Sequence, residues 1–436
     1  MTPQSSFMII APLARGRIDA ARALLATMNS QPGVANPDNA LIPFGRFENL
    51  HFARLVVLDD QTTGDMEALY GVRLPPPPIY LAFLGDFDGT YDAFLDLLIE
   101  RATPGLRQIF SLCDGFSADT HLRAWITSHE QRPSAYYCNW VGRTTQQTRE
   151  EEQLRRALLG YLERSPTLAD SPAPAVHEAL RRYVQVESAA GRLTLSPAAP
   201  TPFGWKVQHA VDWAIAILLI VAGVVTLPLT LIPLLLLAWM LRSQETSDKQ
   251  FAPRLDPRWV AGLAVLEDHS VTNQFSAMGT LKPGWLRGVL LATGLWVVNL
   301  SGRLLYSKGR LARVHTIHFA RWVYLDNRTR LFFASNYDGS LESYMDDFIN
   351  KVAFGLNVVF SNGVGYPHTD WLVLKGAKDE QKFKYFLRRH ELPTDVWYNA
   401  HAGLTAFDLQ RNSRIREGLE EASLSEQQAR EWVALL

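Results

Sequence analysis

The sequence predicts an α+β chain of two tandem βαββαβ units paired about a pseudo-twofold axis, with a proline-interrupted membrane segment between them. Three observations predict it. The run from Trp213 to Leu241 carries no formal charge. Strand-like and helix-like apolar periodicities alternate on both sides of that run. Short motifs also recur in the same order before and after it, as an internal duplication requires.

With 436 residues, 47% hydrophobic and 20% charged, the chain has room for two or three domains and an ordinary globular balance apart from the apolar run. A net charge of −1, with no basic stripe and no zinc-ligand spacing, argues against a nucleic-acid partner. Cys113 and Cys138 form no CxxC, so neither a disulfide framework nor a cysteine metal site is expected. The opening MTPQSSFMIIAPLARGR lacks a basic segment, and its apolar run is too short for a secretory signal. The first half is therefore expected in the cytosol.

Residues 1–164 read as the first unit. Phe7 to Ala14 is a strand, Arg15 to Met28 an amphipathic helix, and Asn49 to Asp59 and Ile79 to Leu84 are strands. Asp88-Gly89-Thr90 opens a helix to about Leu112, and a helix at Leu122 to Glu130, a strand at Ala135 to Gly142 and a charged helix at Gln147 to Glu163 follow. Residues 165–205 form a Pro/Ala/Ser-rich linker around a short helix, 206–245 the membrane segment, and 246–269 a connector. Residues 270–436 read as the second unit, whose first helix, 285–306, is far more apolar than its counterpart. It suits a helix lying at the membrane interface or one buried between the two units.

The recurrences are specific. His51-Phe-Ala-Arg54 returns as His318-Phe-Ala-Arg321, offset by 267, and Asp88-Gly89-Thr90 returns as Asp338-Gly339-Ser340, offset by 250. His129-Glu130 returns as His390-Glu391, offset by 261, where Tyr398 and Gly403 also fall on Tyr137 and Gly142. The register changes where loops are expected, and the shared pattern is the split βαβ, or ferredoxin-like, arrangement.

Paired units must lie on one side of a bilayer. Pro228 and Pro233 therefore read as a reversal that makes the segment a re-entrant wedge, with a tilted, kinked single span as the competing form. Arg242, Lys249, Arg254 and Arg258 outweigh Lys206 and put the second half on the cytoplasmic side.

On a strand, Arg54 falls on the same face as Phe52, Val56 and Leu58, and Arg321 with Phe319, Val323 and Leu325. A charge on such a face needs a partner or an anionic ligand. The partner readings are Asp346, Asp347 or Asp96, and Asp88 and Asp338 read equally well as residues that start helices. Function is expected where the copies differ: Asn273 and Gln274 stand where the first unit has Ser5 and Ser6, Asn336 where it has Asp86, and His401 where it has Trp140. His368 lies in a segment longer than its counterpart. One pocket would gather these residues in the second half. No P-loop, GxSxG, HExxH or Rossmann GxGxxG occurs in the required context.

Two ferredoxin-like halves in one chain resemble the architecture of the Dyp-type haem peroxidases and the chlorite dismutase group. Gly85-Asp-Phe-Asp88-Gly89 is similar to the GxxDG motif of the Dyp-type enzymes. The resemblance implies haem as a cofactor, Asp88 as the distal acid, Arg321 in place of the distal arginine, and a proximal histidine for which His315, His318 and His269 are available. The catalytic candidates are then Arg321, Asp88, His318 and His401, and the ligand-binding candidates Asn273, Gln274, Asn336, His368 and Arg54. The sequence thus leads to a membrane-bound protein that acts on or binds a lipophilic small molecule, by peroxidase-like oxidation or, alternatively, as a non-enzymatic lipid-binding or scaffold protein.

Overall fold

The computed structural model describes residues 1–436, apart from the side chain of Ala169, and the chain is a mixed α+β protein. Its main strands are β1 (Gln4–Pro12), β2 (Leu50–Leu58), β3 (Tyr80–Asp88), β4 (Ala135–Cys138), β5 (Thr272–Thr280), β6 (Ile317–Leu325), β7 (Arg330–Asp338) and β8 (Val396–Asn399). One sheet runs β1-β3-β2-β8 and continues into two short strands at 29–31 and 33–35; the other runs β4-β6-β7-β5.

The fourth strand of each predicted unit therefore lies in the other unit's sheet. Ala135 of β4 stands opposite Trp322 of β6, and Val396 of β8 stands opposite Leu55 of β2. Residues 1–164 and 270–436 are thus not self-contained, because each sheet is closed by a strand from the other half. Strand pairing joins them into one body, since backbone N–H and C=O groups inside a protein must be paired.

Period-two alternation gives each sheet two buried faces. Met8, Ile10, Val56, Leu58, Ala82 and Leu84 of the first sheet meet Met278, Val323, Leu325, Phe332 and Ala334 of the second. The outer face of the first sheet is covered by α1 (Ile18–Ala26), α2 (Tyr91–Phe110) and α3 (Leu122–Ser128). α4 (Thr145–Glu163) belongs to a separate helical cluster described below.

The uncharged run lies in α5 (Phe203–Ser247), a continuous helix of 45 residues that includes Pro228 and Pro233. The chain stays helical through both prolines, with no turn between two arms. A reversal would leave several backbone groups unpaired in apolar surroundings, whereas each proline in a helix frees one carbonyl, here those of Val224 and Leu229. The hydroxyls of Thr226 and Thr230 donate back to the carbonyls of Ala222 (2.8 Å) and Thr226 (3.0 Å). α5 is long and apolar enough to cross a membrane, and its apolar window is not buried against the rest of the chain.

The outer face of the second sheet carries α6 (Trp285–Leu304), α7 (Leu341–Lys351), α8 (Ala353–Phe360) and α9 (Glu380–His390). α6 is thus not buried between the two halves. Leu291 and Leu295 pack in the cluster on the sheet, while Trp285, Val289, Trp296 and Val297 are exposed. α10 (Ala406–Glu420) packs with α4 and two further helices, 173–189 and 426–433, around Leu158, Leu180, Ile415 and Trp432.

Both ends of α5 are held by this body. Asp212 accepts from Arg303 (3.1 Å) near the end of α6, and Asp248, which follows α5, accepts from Arg287 (2.7 Å) near its start, so the two helices are antiparallel. Glu245 accepts from the Thr369 hydroxyl (2.8 Å) and from the N–H groups of Trp371 (2.8 Å) and Leu372 (2.7 Å). At 1.5 Å per residue, Arg287 and Arg303 are about 24 Å apart, while Asp212 and Asp248 are about 54 Å apart along a straight helix. Arginine reach and curvature of α5 must absorb the difference, and the two prolines are where bending costs least.

Candidate functional site

The HFAR arginines lie between the sheets, on the faces that alternation assigns them. Each crosses to the opposite sheet. Arg54 donates to the carbonyls of Phe275 (2.8 Å) and Ser335 (2.8 Å), to the Ser276 hydroxyl (3.0 Å) and to the side-chain oxygen of Asn336. Arg321 donates to the carbonyls of Phe7 (2.7 Å) and Gly85 (3.0 Å) and to the carboxylate of Asp86. The partner of Arg321 is therefore Asp86. The other expected partners are engaged elsewhere, Asp346 with Lys384, Asp347 with Lys351 and Asp96 with Arg123.

The carboxylate is shared. Asp86 also accepts from the Tyr136 hydroxyl (3.2 Å), and Trp397 Nε1 donates to Asn336 (3.3 Å). Burial, and then the nearby Arg321, lower the pKa of Arg54 from its ordinary value to about 9, with Asp86 opposing the shift. Burial raises that of Asp86 against the pull of both arginines. A cavity of about 10 Å³ remains among these groups, space for one water at most.

The DG aspartates do not start the helices that follow them in sequence. Asp88 and Asp338 are the last residues of β3 and β7, and Gly89 and Gly339 (φ 98° and 86°) turn the chain away in a conformation suited to glycine. Each carboxylate instead meets the N-terminus of a distant helix. Asp88 Oδ2 accepts from Thr145 N (2.8 Å) at the start of α4, and Asp338 Oδ2 accepts from Ala406 N (2.7 Å) at the start of α10. Their other oxygens contact His51 Nε2 (2.9 Å) and His318 Nε2 (2.7 Å). A negative charge at a helix N-terminus is stabilising, so each motif ties a sheet to the helical cluster.

The two halves diverge next to these pairs. His51 Nδ1 contacts His401 Nε2 (2.9 Å), while Trp140 lies in the same cavity of about 40 Å³ beside His318. His401 is fully buried, and its Nδ1 has no partner. Burial, followed by His51, His318 and Arg149, pushes its pKa well below the ordinary histidine value.

The remaining candidates are not brought together. Asn273 braces a turn through the carbonyls of Ser270 (2.8 Å) and Gly339 (2.9 Å), Gln274 accepts from Thr394 (2.5 Å), and half-buried His368 lies in the segment that holds the end of α5. His315 and His269 are exposed and contact the carbonyls of Gly309 (3.3 Å) and Val265 (2.7 Å). The residues that resemble a haem site do not fit a haem. Asp88 and Arg321 are occupied by protein partners, the spaces beside them are of water size, and neither exposed histidine faces them.

The largest cavity described lies elsewhere. About 370 Å³ separates α6 and α8 from the second sheet, lined by Val297, Val298, Trp322, Phe333, Phe354 and Leu372 among others. Its lining is almost wholly apolar, with Ser301, Thr293 and Tyr306 the few polar groups. The volume lies within the roughly 300–1,000 Å³ usual for small-molecule sites. Phe354 is exposed at its rim, and Leu372 belongs to the segment that binds Glu245 of α5. No residue of this lining stands out individually in the sequence, and the signal that points to it is the apolar excess of α6.

Compared with models of protein families, with curated proteins and with solved structures, the chain matches none.

Proposed function

We propose that this is a membrane-attached protein of two duplicated ferredoxin-like halves that holds a lipophilic small molecule in the cavity between α6, α8 and the second sheet. The observation that carries this reading is the apolar cavity of about 370 Å³ beneath α6, the helix whose two ends are ion-paired to the apolar α5. An apolar cavity of this size favours an apolar occupant, because burying hydrocarbon is worth about 25 cal/mol per Å².

The exchange of β4 and β8, with equivalent registers, supports the duplication and a common aqueous compartment for both halves. Labelling engineered cysteines near positions 150 and 380 should find both on the same side of the membrane. Labelling on opposite sides would refute that attachment.

Binding without haem chemistry is the preferred form, since no acid–base pair faces the cavity. Solvent extraction and mass spectrometry of detergent-purified protein should recover a stoichiometric apolar compound. Val298→Trp, which fills the cavity from α6, should lose it while keeping its fold. Equal recovery from the variant, or none from the wild type, would overturn the reading.

A further inference from the structure

The cavity at the start of α6 has a different chemistry. It holds about 250 Å³ and is walled by Lys282, Gly284, Arg287, Gly288, Arg328 and Asn362, together with apolar side chains. Gly284 enters the helix at φ 111°, with open space where a Cβ would stand, and no side chain caps the first turn. The unpaired N–H groups there form the positive end of a 20-residue helix.

The cations around this turn outnumber their partners. Arg287 is 2% exposed; Nη2 donates to Asp248 Oδ2 (2.7 Å), while the buried Nη1 has no partner. Lys282 Nζ donates to the same Oδ2 (2.6 Å), and the Tyr70 hydroxyl donates to Oδ1 (3.0 Å). Arg328 is exposed and stacks on Tyr324 (5.5 Å to the ring centre). Lys282, Arg287 and Arg328 thus line the cavity without a carboxylate among its walls, the first two share Asp248 outside it, and a buried guanidinium N–H left unpaired is costly. Asn362 Oδ1, also unpartnered, offers one acceptor.

We propose that this cavity binds a phosphate group. Nη1 of Arg287, the Lys282 ammonium, Arg328 and the first-turn N–H groups of α6 donate to its oxygens, and Asn362 accepts from a protonated one. Helix start and guanidinium together form a recurrent anion-binding arrangement. The phosphate belongs either to a water-soluble ester or to a lipid headgroup. Asp248 sits at the end of the apolar helix, so a headgroup there would lie at the level where α5 leaves the membrane.

Full-length protein in an uncharged detergent would be titrated calorimetrically with inorganic phosphate, glycerol 3-phosphate and a short-chain phosphatidic acid. Saturable binding of at least one probe is expected, weakened about tenfold or more in Arg287→Gln. Binding of either water-soluble probe assigns a free phosphate ester, and binding of the phosphatidic acid alone assigns a headgroup. Arg328→Gln, which removes no hydrogen bond, should also weaken binding and decides the matter if Arg287→Gln does not fold. Absence of saturable binding for all three probes overturns the proposal, as does affinity that the folded variants retain.

Discussion

Arg54 and Arg321 cross between the sheets at equivalent places and take two backbone carbonyls each, yet one ends on the amide of Asn336 and the other on the carboxylate of Asp86. Two buried guanidinium groups thus share one carboxylate. The difference shows that the backbone contacts, present in both halves, fix where each arginine lies, while the charge balance is set by a single position. Removing that charge should have the largest effect. Asp86→Asn leaves two buried cations without a counter-charge and is expected to cost about 3–5 kcal/mol in denaturant unfolding. Adding Asn336→Asp moves the carboxylate to the other half and should recover most of the loss. A double variant as unstable as Asp86→Asn would mean that Asp86 acts through its Tyr136 contact and not through charge.

The arginines themselves should differ by less. Arg321→Met leaves Asp86 without its direct partner, whereas Arg54→Met removes a cation already short of counter-charge. Both leave two buried carbonyls without this donor. Arg321→Met is therefore expected to be the more destabilising, by about 2 kcal/mol. Equal losses would place the stabilisation in the carbonyl contacts alone.

Part of this was legible in the sequence. Alternation put Arg54 and Arg321 on the inter-sheet face, and the recurrence of HFAR and DG located the equivalent strands. The partner of Arg321 was not legible, because Asp86 becomes its neighbour only when the two sheets pack face to face. Asp88-Gly-Thr looks like a local helix start, and only the fold brings Thr145 to that carboxylate. The exchange of β4 and β8 was hidden because a strand carries the same pattern whichever sheet it enters. The prolines do not end the helix, because a proline signal states the cost of a helix and not whether the surroundings accept it. The cavity and the start of α6 depend on packing, so composition pointed to the helix but not to the space beneath it.

The histidine neighbourhoods offer a second contrast, between His401 beside His51 and Trp140 beside His318. The pKa of His401 lies below its ordinary value, so the unfolded chain binds the proton more tightly. Stability from this group is present above the unfolded pKa near 6.5 and is lost as pH falls below it. His401→Phe should make the acid-side fall in stability shallower by up to about 1.4 kcal/mol per pH unit. An unchanged slope would mean that His401 takes up its proton as readily in the folded protein as in the unfolded chain.

Asn336→Asp alone should give the smallest effect at neutral pH, because the desolvation of a second buried carboxylate nearly offsets its attraction to Arg54. A change within about 1.5 kcal/mol is expected. Its signature lies in alkali. The folded pKa of Arg54, about 9, is below its ordinary value of 12.5, so its stability contribution is lost as pH falls through 9 and the penalty is fully present at pH 8. A carboxylate at position 336 raises that pKa and relieves the penalty. The variant should therefore gain most, relative to the wild type, near pH 8, and the gain should shrink as pH rises above 9, where wild-type Arg54 releases its proton. A difference that stays constant across that range would show that Arg54 remains charged throughout, and that its four oxygen acceptors suffice without a carboxylate of its own.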